Sequence, residues 1–469
     1  MLKFRFVLLF SLGLPALAQQ FDTAIVNGRV LDPESGLDAI RSIGIRSGRI
    51  SAISPDPLHG RTVIDARGLV VAPGFIDLHQ HGQTPENYRF KAHDGVTTAL
   101  ELEVGVWPLR QWYAAREGKA LINFGASSGE IPAAMAVMHD PGTLLPRGEA
   151  AQRGPTPEEQ REIIAHIKEG LDQGALGVGL GIAYVPKTSR EQILQVFQIA
   201  APYKAPCFVH MRNGGPVEPG VLDALQEVLA DSAVTGTPLH VVHITSMALA
   251  ETPLALAIIR GARERGLDIT VEAYPYTAGM TDLSSAIFEP GWQAHQGGIT
   301  YHDLQWIATG ERLTEESFLR YRKQGGMVAV HSIPEAMVRL AMADPMVMIA
   351  SDGILDNGKG HPRAAGCYAR VLGRYVREER ALSLMEALRK MTLMPAERVG
   401  LQNKGRIKIG ADADVTIFDP ARVIDRATYE NPAQYSEGIE YVLVNGISVV
   451  KQGVLQENVA PGRGVLRNR

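Results

Sequence analysis

The chain has 469 residues, 45% of them hydrophobic and 21% charged, with a formal net charge of −4. That length fits one large α/β barrel with a small companion domain, and the charge balance supplies neither a basic stripe for nucleic acid nor an acidic tail. Two cysteines, Cys207 and Cys367, are too few for a disulfide framework or a cysteine-rich zinc site.

In chain order, residues 1–18 read as a secretory signal peptide. Lys3 and Arg5 precede an apolar stretch over 7–17, and Ala16-Leu17-Ala18 supplies the small-residue cleavage pattern. The mature protein is then expected to be secreted or periplasmic and free of the membrane, because no second apolar run approaches about 18 residues. Residues 19–73 predict the first part of a small β domain, with turns at Asn27-Gly28 and Ser47-Gly48.

Residues 74–404 alternate between two periodicities. Strands are predicted over 74–79, 97–103, 121–125, 175–180, 206–210, 239–245, 268–273 and 347–352, and helices over 156–171, 190–200, 221–230 and 252–265. Thr156 with Glu159 forms a capping box at the start of the first of these helices. Eight strands interleaved with helices indicate an α/β fold, a (β/α)8 (TIM) barrel. A doubly wound sheet would need a glycine-rich fingerprint after its first strand, and none is there. The glycines over 174–181 do not match a phosphate cradle and read as a strand that another backbone approaches closely. Residues 289–322 are the least patterned part of the middle and suggest a lid or inserted loop. Residues 405–469 are again β in character, with Asn445-Gly446 as a hairpin signal. Both termini are thus expected to build one small β-sandwich domain.

Chemistry concentrates at the predicted strand ends. In Pro73-Gly74-Phe75-Ile76-Asp77-Leu78-His79-Gln80-His81 the two histidines project from the same face, at the end of the barrel where active sites lie. His210, His243 and Asp352 each close another predicted strand. Lone histidines are ordinary, but imidazoles and a carboxylate converging at strand ends suit a divalent metal. His240, three residues before His243, faces the other way on a regular strand.

This arrangement resembles the amidohydrolase superfamily, and within it the D-aminoacylase (N-acyl-D-amino-acid deacylase) group. The likeness rests on the His79/His81 strand, on Gly410-Ala-Asp-Ala-Asp, and more closely on Phe208-Val-His-Met-Arg, on Glu272-Ala-Tyr-Pro-Tyr, and on Ser351-Asp-Gly through His361-Pro-Arg to Arg370-Val-Leu-Gly-Arg-Tyr. It implies that His79, His81 and Asp352 hold one metal position and that His210 and His243 hold the second. Asp352 would also relay a proton from water to the leaving amine. The implied cofactor is Zn²⁺, one or two ions per chain, with Mn²⁺, Fe²⁺ or Co²⁺ able to use the same ligands. Arg363 would take the carboxylate of an N-acyl amino acid, Tyr184 would polarise the scissile carbonyl, and Tyr276 would join them at the substrate.

Two departures stand out. Where the group has a metal-binding cysteine in a Gly-Asn-Cys-Gly stretch, this chain reads Ala99-Leu-Glu-Leu-Glu-Val-Gly, with Val104 at the cysteine's position. Glu103, nearer the strand end, is the favoured bridging carboxylate and Glu101 the second choice, since a carboxylate in an apolar strand needs a partner. Thr245 also stands where the group often has a lysine. Alternatives within the superfamily are hydrolases of cyclic amides, such as hydantoinases and dihydroorotases, or of isoaspartyl dipeptides; these commonly use a modified lysine as bridge. Outside it, a secreted binding protein on a barrel scaffold is the alternative. A serine hydrolase lacks its Gly-x-Ser-x-Gly elbow here.

Overall fold

The eight expected barrel strands form as Phe75–Asp77, Val96–Val106, Asn123–Gly129, Val178–Gly181, Cys207–His210, Leu239–Val241, Ile269–Ala273 and Val347–Ile349. They pair in chain order in one parallel sheet. The computed structural model describes residues 21–467, so the expected signal peptide lies outside the described residues. Every residue of Val96–Val106 and Asn123–Gly129 is buried, as strands covered on both faces require.

The first and last strands meet just beyond their ends. The His81 N–H donates to the Gly353 carbonyl at 3.0 Å, and the Ser351 N–H and hydroxyl donate to Asp77 at 3.0 and 2.6 Å. Asp77 is also paired with Lys91 at 2.9 Å, with neither side chain exposed at all. A buried pair broken on one side leaves an uncompensated charge. Lys91→Met is therefore expected to lower unfolding stability by about 3–5 kcal/mol, read as a lower denaturation midpoint at unchanged slope.

The predicted helices form as Pro157–Asp172, Arg190–Ala200, Val221–Thr235 and Thr252–Glu264, and the Thr156/Glu159 capping box is present in full. In the last of these Thr252, Ala255, Leu256 and Ile259 are buried, the spacing of a single helical stripe against a barrel. One expectation needs correcting here. By length and composition Ile244–Glu264 is apolar enough to cross a membrane, yet half of it is buried inside the fold.

The terminal segments build one nine-stranded mixed sheet. Ile25, Ile43, Ile45, Val415 and Ile417 share an apolar core of its own, while Val70, Phe418 and Val442 pack with the barrel. Ser47-Gly48 and Asn445-Gly446 form the expected turns, all four residues at positive φ. Asn27-Gly28 does not. Phe21–Asp32 runs on as one strand, with a register shift between Ile25 and Gly28. A side chain at Gly28 would lie 2.4 Å from Val71, so the glycine serves a bulge beneath a neighbouring strand. Asp414, in the segment leading to Val415–Phe418, accepts from Asn123, Lys404 and the Asn445 N–H, tying the small domain to the barrel.

The segment expected as a lid or loop is a folded lobe. Gly279–Asp282, Met327–Val330 and Leu304–Trp306 form a three-stranded antiparallel sheet, and helix Glu315–Gln324 is part of the same lobe. Leu283, Phe288, Trp292, Trp306 and Phe318 give it a separate apolar core. Its strands are too short for periodicity to show them in the sequence, and its helix buries only Ser317 and Phe318.

Candidate active site

The long strand Val96–Val106 carries Glu103 to the C-terminal mouth of the barrel, where it is 3% exposed. A Cβ at Gly179 would lie 2.5 Å from the Glu103 carbonyl oxygen, so only glycine lets the adjacent strand run this close, as the sequence suggested for 174–181. Two other residues of the site leave regular strand geometry altogether. His243 and Asp352 have φ of 33° and 52°, a left-handed backbone costing a non-glycine residue about 1–2 kcal/mol. This turn lets their side chains reach back over the strand ends.

Two groups of ligand atoms meet at Glu103. On one side its Oε2 lies 3.0 Å from both His79 Nε2 and His81 Nε2, which are 3.2 Å apart. Asp352 Oδ1 completes this group at 3.6 and 3.4 Å from the same nitrogens. On the other side Glu103 Oε1 lies 2.7 Å from His210 Nδ1 and 3.3 Å from His243 Nε2, with the two nitrogens 3.1 Å apart. Ligands arranged tetrahedrally at about 2.0–2.1 Å from zinc stand about 3.3 Å from one another. The donor atoms therefore fit two divalent ions with Glu103 shared between them.

The outer nitrogens of the histidines support the same reading. His79 Nδ1 is 2.6 Å from Glu272, and His81 Nδ1 is 2.9 Å from Glu101. These carboxylates accept the Nδ1 protons and leave both Nε2 lone pairs facing the site. Burial opposes protonation of His79, but the charges of Asp352, Glu103 and Glu272 outweigh it and raise its pKa to about 10, so Nε2 would hold a proton until a metal ion displaced it. The pocket is thus built for positive charge. Glu101→Gln removes only an orienting contact. It is expected to weaken metal affinity about 10- to 100-fold, measured by competition with a chromogenic chelator.

Asp352 also accepts from Arg363 Nη2 at 2.9 Å. Burial pushes its carboxyl up, but Arg363 and His79 overcome this and hold it well below the usual carboxylate range. Arg363 is 1% exposed and lies over the Tyr274 ring at 4.4 Å, while its Nε and Nη1 have no hydrogen-bond partner among the described residues. Its backbone N–H donates to His361 Nδ1, and His361 Nε2 donates to the Ala278 carbonyl, both at 3.0 Å. Tyr184 meets Thr281 at 3.1 Å, and burial keeps its phenol protonated well above the ordinary range. A cavity of about 300 Å³ opens over both ligand groups and includes Tyr184, Tyr274 and Arg363 in its wall.

Of the sequence-predicted residues, His79, His81, Glu103, His210, His243 and Asp352 come together in the cluster, and Arg363 and Tyr184 border its cavity. Glu101 is corrected from possible bridge to orienting partner of His81: its carboxylate meets Nδ1, away from the shared point. Tyr276 is corrected too. It packs against Arg370 and His361 outside the cavity wall, because the chain leaves its strand after Ala273; Tyr274 takes the place expected of it. Sequence reasoning missed Glu272 as a contact of His79. It also misjudged His240, whose Nε2 reaches Glu272 at 3.0 Å. A carboxylate in the otherwise apolar strand Ile269–Ala273 was the available signal.

A parallel barrel with histidines and carboxylates gathered at the C-terminal ends of its strands is the architecture of metal-dependent hydrolases. The amidohydrolase family model matches residues 62–450, and the chain belongs to that family. It is 32% identical to an N-acyl-D-glutamate deacylase of Alcaligenes xylosoxydans xylosoxydans over 96% of this chain and 97% of that protein. Identity to a D-aminoacylase of the same organism is 28%, over 92% and 95%. Among solved structures, an N-acyl-D-glutamate deacylase from Bordetella bronchiseptica, complexed with zinc and a phosphonate mimic of the tetrahedral intermediate, superposes with a TM-score of 0.83. It is 30% identical and covers 96% of this chain and 100% of its own. A D-aminoacylase superposes at 0.82 with 26% identity, over 95% and 100%.

Proposed function

We propose that the protein is a metal-dependent hydrolase that deacylates N-acyl-D-amino acids, in which His79, His81, Glu103 and Asp352, and Glu103 with His210 and His243, are the residues that would hold Zn²⁺. The observation that carries the substrate class is Arg363: a buried guanidinium with two nitrogens unpartnered, in the wall of the cavity above the cluster. A guanidinium takes a carboxylate by two parallel bonds through Nη2 together with Nε or Nη1, so one open nitrogen and the second Nη2 hydrogen, beside the bond to Asp352, form the fork. The deacylases to which the chain is similar point the same way. Glu103 as shared ligand removes the need for the modified lysine of cyclic-amide hydrolases.

When bound, the metal lowers the pKa of water from about 15.7 to about 7 and so provides hydroxide at neutral pH. Asp352, ionised and beside the cluster, accepts the proton of the attacking water and returns it to the departing nitrogen. The Tyr184 phenol donates to the scissile carbonyl oxygen as negative charge develops there. Arg363 fixes the substrate carboxylate, and with it the position of the amide. Water adds across the C–N bond, giving a carboxylic acid and a free amino acid.

The test is a zinc-supplemented assay of paired N-acetyl-D- and N-acetyl-L-amino acids beside hydantoin and dihydroorotate. Turnover of the D series, lost on chelation and restored by Zn²⁺, is expected; turnover confined to the cyclic amides would remove this reading. We further propose export to the periplasm or outside the cell, supported by the 1–18 pattern. Mass spectrometry of the exported protein should then find a mature chain beginning at Gln19.

A further inference from the structure

Arg363 stands at the start of a helix that does not run straight. Gly366, inside Arg363–Arg370, has a non-helical φ of −141° and ψ of 19°. Beyond this kink Asp94 accepts the Tyr368 and Ala369 N–H groups at 2.8 and 2.9 Å, as a side chain does at the start of a helix. The turn carrying Arg363 is thus offset from the helix that follows, and neighbouring groups set its position.

One neighbour is the loop 424–437 of the small domain. Ile424 and Glu437 close its base, each donating its N–H to the other's carbonyl, at 3.2 and 2.9 Å. The loop lies directly on the kink. A Cβ at Gly366 would be 2.6 Å from that of Asp425, so only glycine admits this approach. Asp425 in turn accepts from Arg370 at 3.0 Å, and Arg370 Nε donates to the Pro275 carbonyl at 2.8 Å. At the other end of the loop the Ser436 hydroxyl lies 3.3 Å from the Ala365 carbonyl and 3.0 Å from Asp94. Between these two anchors Tyr429 meets His361 edge-on, with ring centroids 4.9 Å apart at 77°.

Tyr276 meets the same imidazole from the barrel at 5.2 Å and 89°.

His361 links this packing to the arginine. It accepts the Arg363 N–H with Nδ1 and donates from Nε2 to Ala278, so its ring orientation fixes where the Arg363 backbone sits. Burial and the Arg363 charge hold its pKa well below the ordinary value, which leaves Nδ1 able to accept. Turning the imidazole would break its contacts with both phenol rings. Arg363 already gives Nη2 to Asp352, and a two-bonded grip on a substrate carboxylate tolerates little displacement of the guanidinium.

We propose that the loop 424–437 positions Arg363 for the substrate carboxylate, and that Tyr429 is its positioning residue, acting through His361. This rests on the deacylase reading above. The small domain then contributes to substrate binding from outside the cavity, although none of its described residues lines the wall.

The test removes the ring and reads the arginine in the zinc-loaded full-length mature protein. Tyr429→Ala is expected to raise KM for the N-acetyl amino acid the enzyme accepts at least about tenfold, the worth of one hydrogen bond to a charged group. Its kcat should change less than about threefold. Metal content should not move, because the loop meets His361 and the helix of Arg363 rather than the ligand cluster. Hydrogen exchange read by mass spectrometry should quicken over residues 361–370 and stay unchanged over Cys207–His210. Tyr429→Phe keeps the ring and should restore both readings. A folded alanine variant with KM and exchange unmoved overturns the proposal. So does a fall in kcat at unchanged KM, the mark of a loop that merely cements two domains. If the alanine variant does not fold, Ser436→Ala, which removes one hydroxyl, should raise KM about threefold or more; an unmoved KM again overturns the proposal. If the unmodified protein cleaves no N-acyl amino acid, the deacylase reading falls separately. The exchange of residues 361–370 then decides alone: quickening keeps the loop as the support of Arg363, and no change removes it.

Discussion

Replacing Glu103 by glutamine is expected to lower the metal content of the zinc-saturated protein by one ion per chain and to lower kcat/KM by about a hundredfold or more. The amide has nearly the shape of the carboxylate but only one oxygen and no charge. Glu103 meets two nitrogens with each oxygen: Oε2 faces His79 and His81, and Oε1 faces His210 and His243. Glutamine can present its oxygen to one of these pairs. Its NH₂ must then confront the other, where two imidazole lone pairs and a cation would have met. Glu101→Gln provides the scale, since losing an orienting carboxylate costs about 10- to 100-fold in affinity, and losing a shared ligand must cost more. Elemental analysis by mass spectrometry measures the stoichiometry directly. Two ions retained at near-normal turnover would falsify Glu103 as the bridge.

The framework of this site was legible because its ligands obey strand geometry up to the last residue. His79, His81 and His210 end apolar runs, so the period-two pattern and the barrel rule together place them at one mouth. All eight barrel strands were placed by the same pattern of short runs covered on both faces, although Val96–Val106 and Asn123–Gly129, which carry polar residues at their ends, extend beyond their predicted limits. What escaped lies where the chain leaves that pattern. His240 was expected to face away because the strand was carried on to 245, whereas it ends at Val241 and the backbone turns left-handed at His243. Tyr276 was misjudged, and Tyr274 passed over, for the same reason, just past Ala273. Asn27-Gly28 has the chemistry of a turn but lies beneath Val71, a long-range contact that local sequence does not carry. The lobe escaped because it is folded by its own small core of Phe288, Trp292 and Phe318, with strands of three or four residues and a helix, Glu315–Gln324, that buries only Ser317 and Phe318.

Asp352→Asn is expected to lower kcat by about a hundred- to ten-thousandfold, the worth of a positioned acid–base group, with the fold and KM little changed. Asp352 has two tasks that this variant separates. Its Oδ2 accepts from the buried Arg363, and its Oδ1 stands beside His79 and His81 at the cluster. Asparagine keeps an oxygen for Arg363 but has no site at which to store the proton of water. Asp352→Ala loses both functions and leaves the Arg363 guanidinium buried without its carboxylate, a loss of about 3–5 kcal/mol for a fully buried pair. If Asp352 moves the proton, both variants lose turnover to a similar degree when fully metal-loaded, and the melting temperature falls sharply only in the alanine. If its role were confined to supporting Arg363, the asparagine variant would keep near-normal kcat and only the alanine variant would fail. A metal titration of each variant before assay keeps lost occupancy from being read as lost proton transfer.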